Sequence, residues 1–172
     1  MDSIRYVNAP LSMVFQKCND SEEFKREFDS LASSDDDSVG EWLRLAKARG
    51  ETSESDQVLL TLLTELHRKV DALSAYIKGE DKKLISLSSQ GEIEAIGYEH
   101  FKLKDSHLDS GSKYYGRLDM PFFPQREVPV FFTAISPKEA KIDLIHERDE
   151  KDWNAYVVAR ERVMIREMRA KK

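Results

Sequence analysis

Cysteine is nearly missing. Cys18 is the single thiol in 172 residues, so no internal disulfide framework can form, and a reducing compartment is the simpler setting. Long apolar runs are missing as well: none approaches the roughly 20 residues that span a bilayer, and Met1-Asp2-Ser3-Ile4-Arg5 lacks the basic-then-apolar order of a signal peptide. The expectation is a cytoplasmic chain with no membrane insertion. There is no excess of positive charge either. A formal net charge of -5 and a pI near 5.5 argue against a general nucleic-acid binder.

Catalytic constellations are also lacking. His67, His100, His107 and His146 are scattered, and the pair His100 and His107, seven residues apart in what reads as a loop, would have to borrow carboxylates to hold zinc, so that pair reads as surface histidines. Ser88 stands in Ser-Leu-Ser-Ser-Gln-Gly with no elbow glycine before it, and no glycine-rich loop carries a lysine. Asp35 to Asp37 lack the spaced ligands and glycine of a calcium loop and read as a solvated break. The basic tail from Arg160 to Lys172 is interleaved with Glu161 and Glu167, which makes it a solvated helix face. The chain reads as neither an enzyme nor a metalloprotein.

What is present is enough for one core with a substantial appendage: 40% of the residues are apolar. The charge is divided unevenly. Residues 1–80 carry 10 Lys/Arg against 16 Asp/Glu, and residues 81–172 carry 17 against 16, so the chain is expected to divide into 1–80 and 81–172. There is no internal repeat and no low-complexity linker.

The first apolar stretch, Ile4 to Val7 and Leu11 to Phe15, is broken by Pro10 and reads as an edge strand or extended arm. A helix then follows from Ser21, with Glu22 and Glu23 in its first turn, to about Ala32. A second helix carries Val39, Trp42, Leu43 and Ala46 and stops near Gly50. The strongest helical signal runs from about Ser53 to Lys78, before Gly79. In it Leu63, Val70 and Ile77 fill heptad position a, and Leu59, Leu66 and Leu73 fill d. Such a helix can pack on its own core or on copies of itself. Leu60, Leu62 and Tyr76 widen the stripe into e and g positions and favour a bundle of more than two helices.

Beyond Asp81 the period becomes strand-like. Five candidate strands, Leu84 to Leu87, Ile93 to Ile96, Gly116 to Met120, Val128 to Ala134 and Ala140 to His146, are separated by turn residues at Gly91, Gly97, Asp109 to Gly111, Pro121 to Pro124 and Ser136-Pro137. Short strands at this spacing suggest a small antiparallel barrel. A last helix opens at Asp149 to Asp152, carries Trp153, Tyr156, Val157, Val163 and Met164, and ends with Arg166 and Arg169, an order that suits the helix dipole.

From about Lys83 to Arg169 the chain resembles the PilZ domain, a six-stranded barrel closed by a C-terminal helix that senses cyclic di-GMP in bacteria. Ser86-Leu87-Ser88-Ser89-Gln90-Gly91 resembles the family's [Asp/Asn]-x-Ser-x-x-Gly turn, in which the glycine would take a positive φ. Gly111 and Leu118-Asp119-Met120-Pro121 resemble its glycine-to-proline strand. The strands from Val128 and Ile142 and the helix with Trp153 and Arg160 follow in family order. The resemblance therefore implies an α+β fold: a six-stranded antiparallel PilZ-like barrel with a C-terminal helix and an N-terminal helical, coiled-coil extension.

Nucleotide-binding members carry Arg-x-x-x-Arg just before the first barrel strand, where guanidinium groups stack on guanine and clamp phosphate. Here that stretch reads Lys78-Gly79-Glu80-Asp81-Lys82-Lys83, and Ser86 replaces the first motif residue. Losing two bidentate arginines, each contact being worth about 1.5–3 kcal/mol, weakens binding by roughly three orders of magnitude. No cofactor is expected, and cyclic di-GMP enters only through an alternative: a receptor using Ser86, Ser88 and Gly91, with Lys82 and Lys83 as point charges. With its heptad helix the layout is similar to an atypical, tetrameric PilZ subgroup from plant-pathogenic bacteria. That likeness implies an adaptor or scaffold in motility and virulence signalling, a homo-tetramer ahead of a dimer, and unidentified signalling or motility proteins as partners.

Overall fold

A computed structural model describes residues 4–33, 38–80, 83–121 and 127–171. The acidic break at Asp35 to Asp37, Lys82, and most of the Pro121 to Pro124 turn lie outside the described residues. The elements run β1 (Val7–Lys17), α1 (Glu22–Ser33), α2 (Ser38–Ala48), α3 (Gln57–Lys78), β2 (Ser89–Ile96), β3 (His100–Leu103), β4 (Lys113–Asp119), β5 (Glu127–Ala134), β6 (Glu139–Ile145) and α4 (Glu147–Ala170). The strands close into an antiparallel barrel in the order β1-β2-β3-β6-β5-β4.

The chain forms two compact units, one of residues 1–28 with 86–172, the other of residues 29–85. The first stretch is therefore neither an edge strand nor part of the N-terminal extension. β1 pairs with β2 on one side and β4 on the other. Pro10 is tolerated because the β1–β2 register shifts between Asn8 and Leu11, so the missing N–H falls at an irregularity. Alternate β1 residues Val7, Ala9, Leu11, Met13 and Phe15 are buried, as a strand with one core face requires.

Other boundaries moved for equally physical reasons. Leu84 to Leu87 forms no strand; β2 begins at Ser89. β3 is an additional strand, and it takes His100 out of the expected loop and pairs it with Lys141. Four residues are too few to show a period. α3 begins at Gln57 rather than near Ser53, because the carboxylate of Asp56 accepts from the N–H groups of Val58 (2.9 Å) and Leu59 (3.3 Å). It stops where expected: Gly79 takes φ 71°, and the Glu80 N–H reaches the Ala75 carbonyl at 2.8 Å.

β4 is buried on both faces. Tyr114 and Leu118 point into the barrel, while Tyr115 and Arg117 point outward beneath α1. Between them Gly116 is obligatory, since a Cβ there would lie 2.9 Å from the Val14 carbonyl oxygen. Phe24 of α1 stacks on Tyr115 at 5.0 Å, and Phe28 packs on Phe131 and, at 3.8 Å, on His146. The other flank is held by α4. Trp153 is 1% exposed and its indole N–H donates to the carbonyls of Gly97 (2.9 Å) and Tyr98 (3.1 Å). Val157 is buried one turn later, and the half-buried Arg160 donates to the Asn8 carbonyl at 2.7 Å.

Emptying a buried tryptophan site costs about 3–5 kcal/mol. Trp153→Ala should therefore unfold the barrel or strongly lower its melting temperature in a thermal scan; an unchanged melting temperature would make Trp153 a dispensable surface contact.

Candidate functional site

In α3, heptad periodicity coincides with exposed apolar side chains. Leu59, Leu63, Leu66, Val70, Leu73 and Ile77 are all 54–75% exposed. A buried residue of the same helix is Glu65, on the opposite face, with Arg68 at 4.0 Å one turn on. The usual polarity of an amphipathic helix is thus inverted: the apolar side faces out and a carboxylate faces in. Leu62 and Tyr76 extend the exposed stripe, as expected; Leu60 is half-buried and belongs to its flank. From Leu59 to Ile77 the stripe is about 27 Å long at 1.5 Å per residue. α2 adds Trp42 and Leu45 to the exposed apolar side chains of this unit.

An apolar strip of this length is more than monomeric surfaces normally leave to water. Burying the remaining exposed half of each Leu, Val or Ile contributes about 1 kcal/mol, and the contributions add along the helix. Thr61 and Thr64, off the stripe, turn their hydroxyls onto the carbonyls of Gln57 and Leu60, each at 2.9 Å, and so compete with no partner.

The residues of the degenerate nucleotide motif are placed differently from expectation. Gly91 is not in a turn and has no positive φ; it sits inside β2 opposite Met13 and faces the barrel interior. A Cβ there would meet Phe15 Cε1 at 3.1 Å, a tight contact that favours glycine at this position. Ser88, just before β2, is exposed and donates its N–H to the Gln16 side chain at 3.3 Å. Ser86 and Lys83 are exposed.

Sequence reading missed a polar cluster under α1. Arg117 donates to Glu27 at 2.6 Å, the Tyr115 hydroxyl donates to the same carboxylate oxygen at 2.8 Å, and Glu127 lies 3.9 Å from Arg117. Burial, and then the hydrogen bond to Glu27, push the Tyr115 hydroxyl well above its ordinary range. Burial raises Glu127 as well, against the opposing pull of Arg117. The hint was an arginine in the middle of an apolar strand, but its partner lies 90 residues upstream. His146, read as the last residue of a strand, donates its Nε2 proton to the Phe28 carbonyl at 2.7 Å and helps seat α1. These groups fasten a helix. Among the described residues no three His, Cys, Asp or Glu side chains are grouped to hold a metal, and no helix is long and apolar enough to cross a membrane.

Removing Arg117 leaves the Glu27 carboxylate buried without its cation, which typically costs 3–5 kcal/mol or roughly that. Arg117→Ala should lower stability by about that amount in denaturant unfolding, and Glu27→Gln with Arg117→Met should recover most of it. Equal losses in the two variants would show that lost packing, not the stranded charge, sets the cost.

No family model matches the sequence, and no curated protein matches it. Among solved structures the chain is similar to a pathogenic protein from Xanthomonas campestris described as a new tetrameric PilZ domain self-assembled via an unusual helical bundle. The identity is 12%, the match covers 98% of this chain and 92% of that one, and the TM-score is 0.37. The closed six-stranded barrel and its C-terminal helix are the α+β architecture expected from the sequence.

Proposed function

We propose that the chain is a non-enzymatic adaptor of the atypical PilZ type, held in a homo-oligomer by α3 and acting in bacterial cyclic di-GMP-linked regulation of motility or virulence without itself taking the nucleotide. The observation that carries this reading is the outward-facing heptad stripe of α3. Leu59, Leu63, Leu66, Val70, Leu73 and Ile77 are all exposed in the single chain, and a second copy offers the same knobs and holes in register. Val and Ile at a with Leu at d suit a parallel dimer. Leu62 and Tyr76 at g add a second flank that a two-stranded seam leaves wet, so four chains fit the stripe better than two.

The nucleotide side of the reading rests on chemistry. The stretch before β2 offers lysine point charges and serine hydroxyls where bidentate arginines and a carboxylate would be needed, and Gly91 is committed to the core.

Light scattering behind a sizing column should return a mass of about four times the 19.9 kDa chain at micromolar concentration. Leu66→Glu with Leu73→Glu places unpaired charge in every helix of the bundle and should dissociate it. A wild-type mass of one chain would sink the proposal. An oligomer that survives the double substitution would move the interface off α3.

Titration calorimetry with cyclic di-GMP should show no binding at tens of micromolar, and tight stoichiometric heat would establish the receptor alternative instead. Changing Lys78→Arg, Lys82→Arg and Ser86→Asp together should raise the affinity if the barrel surface still accepts the ligand; no gain would mean that the surface is closed to it.

A further inference from the structure

Closure of the barrel is uneven. β4 and β5 pair along their whole length, from Lys113–Thr133 to Asp119–Glu127, but β3 meets β6 only through His100–Lys141, Phe101–Ala140 and Lys102–Glu139. The Ile142 N–H still reaches the Glu99 carbonyl at 2.8 Å, and there the seam ends. β6 continues to Ile145: Asp143 bulges at a register shift, Leu144 and Ile145 pair with Phe131 and Val130 of β5, and on the other side residues 143–145 have no strand partner among the described residues. Beside them lie the β2–β3 turn and the first turns of α4, and the space between is a groove of about 440 Å³ lined by Tyr98, Glu99, Lys141, residues 142–145, Glu150 and Trp153.

Shape and chemistry restrict what fits. A bare stretch of strand is a template for another extended chain, which adds main-chain hydrogen bonds and sets alternate side chains into pockets. Leu144 and Tyr98 are each about half exposed, so apolar anchors stand ready on the β6 side and the turn side. The rim is acidic: Glu99, Asp143 and Glu150 face a single lysine, Lys141, which lies 4.0 Å from Glu99. Thr133 holds the Asp143 carboxylate in place with a hydrogen bond of 2.6 Å. A rim of this sign repels phosphate backbones, and it opposes pairing with the same groove of a second copy. It favours lysine or arginine side chains.

We propose that this groove takes an extended, lysine- or arginine-bearing segment of a protein partner, added as a strand beside residues 143–145 of β6. The proposal does not rest on α3, since every residue lining the groove belongs to the barrel unit.

A displayed library of random dodecapeptides selected on the full chain tests it. Peptides with Lys or Arg alternating with apolar residues should be enriched. In fluorescence anisotropy their affinity should fall at least ten-fold on Glu99→Lys with Glu150→Lys, two exposed positions whose replacement should leave the melting temperature unchanged. N-methylation of alternate amides along one edge of the peptide should abolish binding, and the backbone amides of 143–145 should exchange more slowly with solvent in the complex. A selection that yields no peptide, peptides without basic excess, equal affinity for the charge-reversed protein, or unaltered exchange at 143–145 would each overturn the proposal.

Discussion

The register of β1 between β2 and β4 holds the barrel shut, and it depends on a very close approach of two backbones. Gly116 of β4 lies where any side chain would strike the Val14 carbonyl oxygen and Met13 Cε. With β1 seated there, Phe15 enters the interior and meets Tyr114 and Phe132 edge-on, at 5.9 and 6.2 Å, in the arrangement that aromatic quadrupoles favour. The same strand delivers Asn8 to Arg160 and hands the chain to α1 over the outer face of β4. Without β1 the sheet would have two long open edges.

Barrel and helices use polar groups in opposite ways. Under α1, the buried Glu27 carboxylate is matched by Arg117 and the Tyr115 hydroxyl, so a charge inside the fold becomes a fixed point of docking. In α3 the polar residue is inside and the apolar ones are outside. One arrangement buries a charge with its partners, and the other leaves apolar side chains exposed.

The barrel also has an unequal circumference. Short β3 is the weak stave, since three residue pairs must close a wall that other strands close with many more. Trp153 sits across this place and spends its indole N–H on the carbonyls of Gly97 and Tyr98, at the turn between β2 and β3. α4 therefore supports the seam at its thinnest point and forms one bank of the groove beside β6.

Local features of the sequence were enough for α1, α2, α3 and α4, for the strands β4, β5 and β6, and for the heptad stripe, because helix period, strand alternation and capping chemistry act over a few residues. Gly79 could be read as the end of α3 for that reason. Only tertiary structure decided that residues 7–17 belong to the barrel, since strand pairing joins Val7 to Ile96 and Ser12 to Asp119 and no local pattern encodes such partners. It also decided that His-Phe-Lys-Leu at 100–103 is a strand, that Leu84 to Leu87 is not, and that Gly91 serves packing against Phe15 rather than a turn. The sequence shows which faces are apolar, because a side chain's hydropathy travels with it. Which of those faces the chain covers for itself depends on contacts between residues far apart, and these exist only once it has folded.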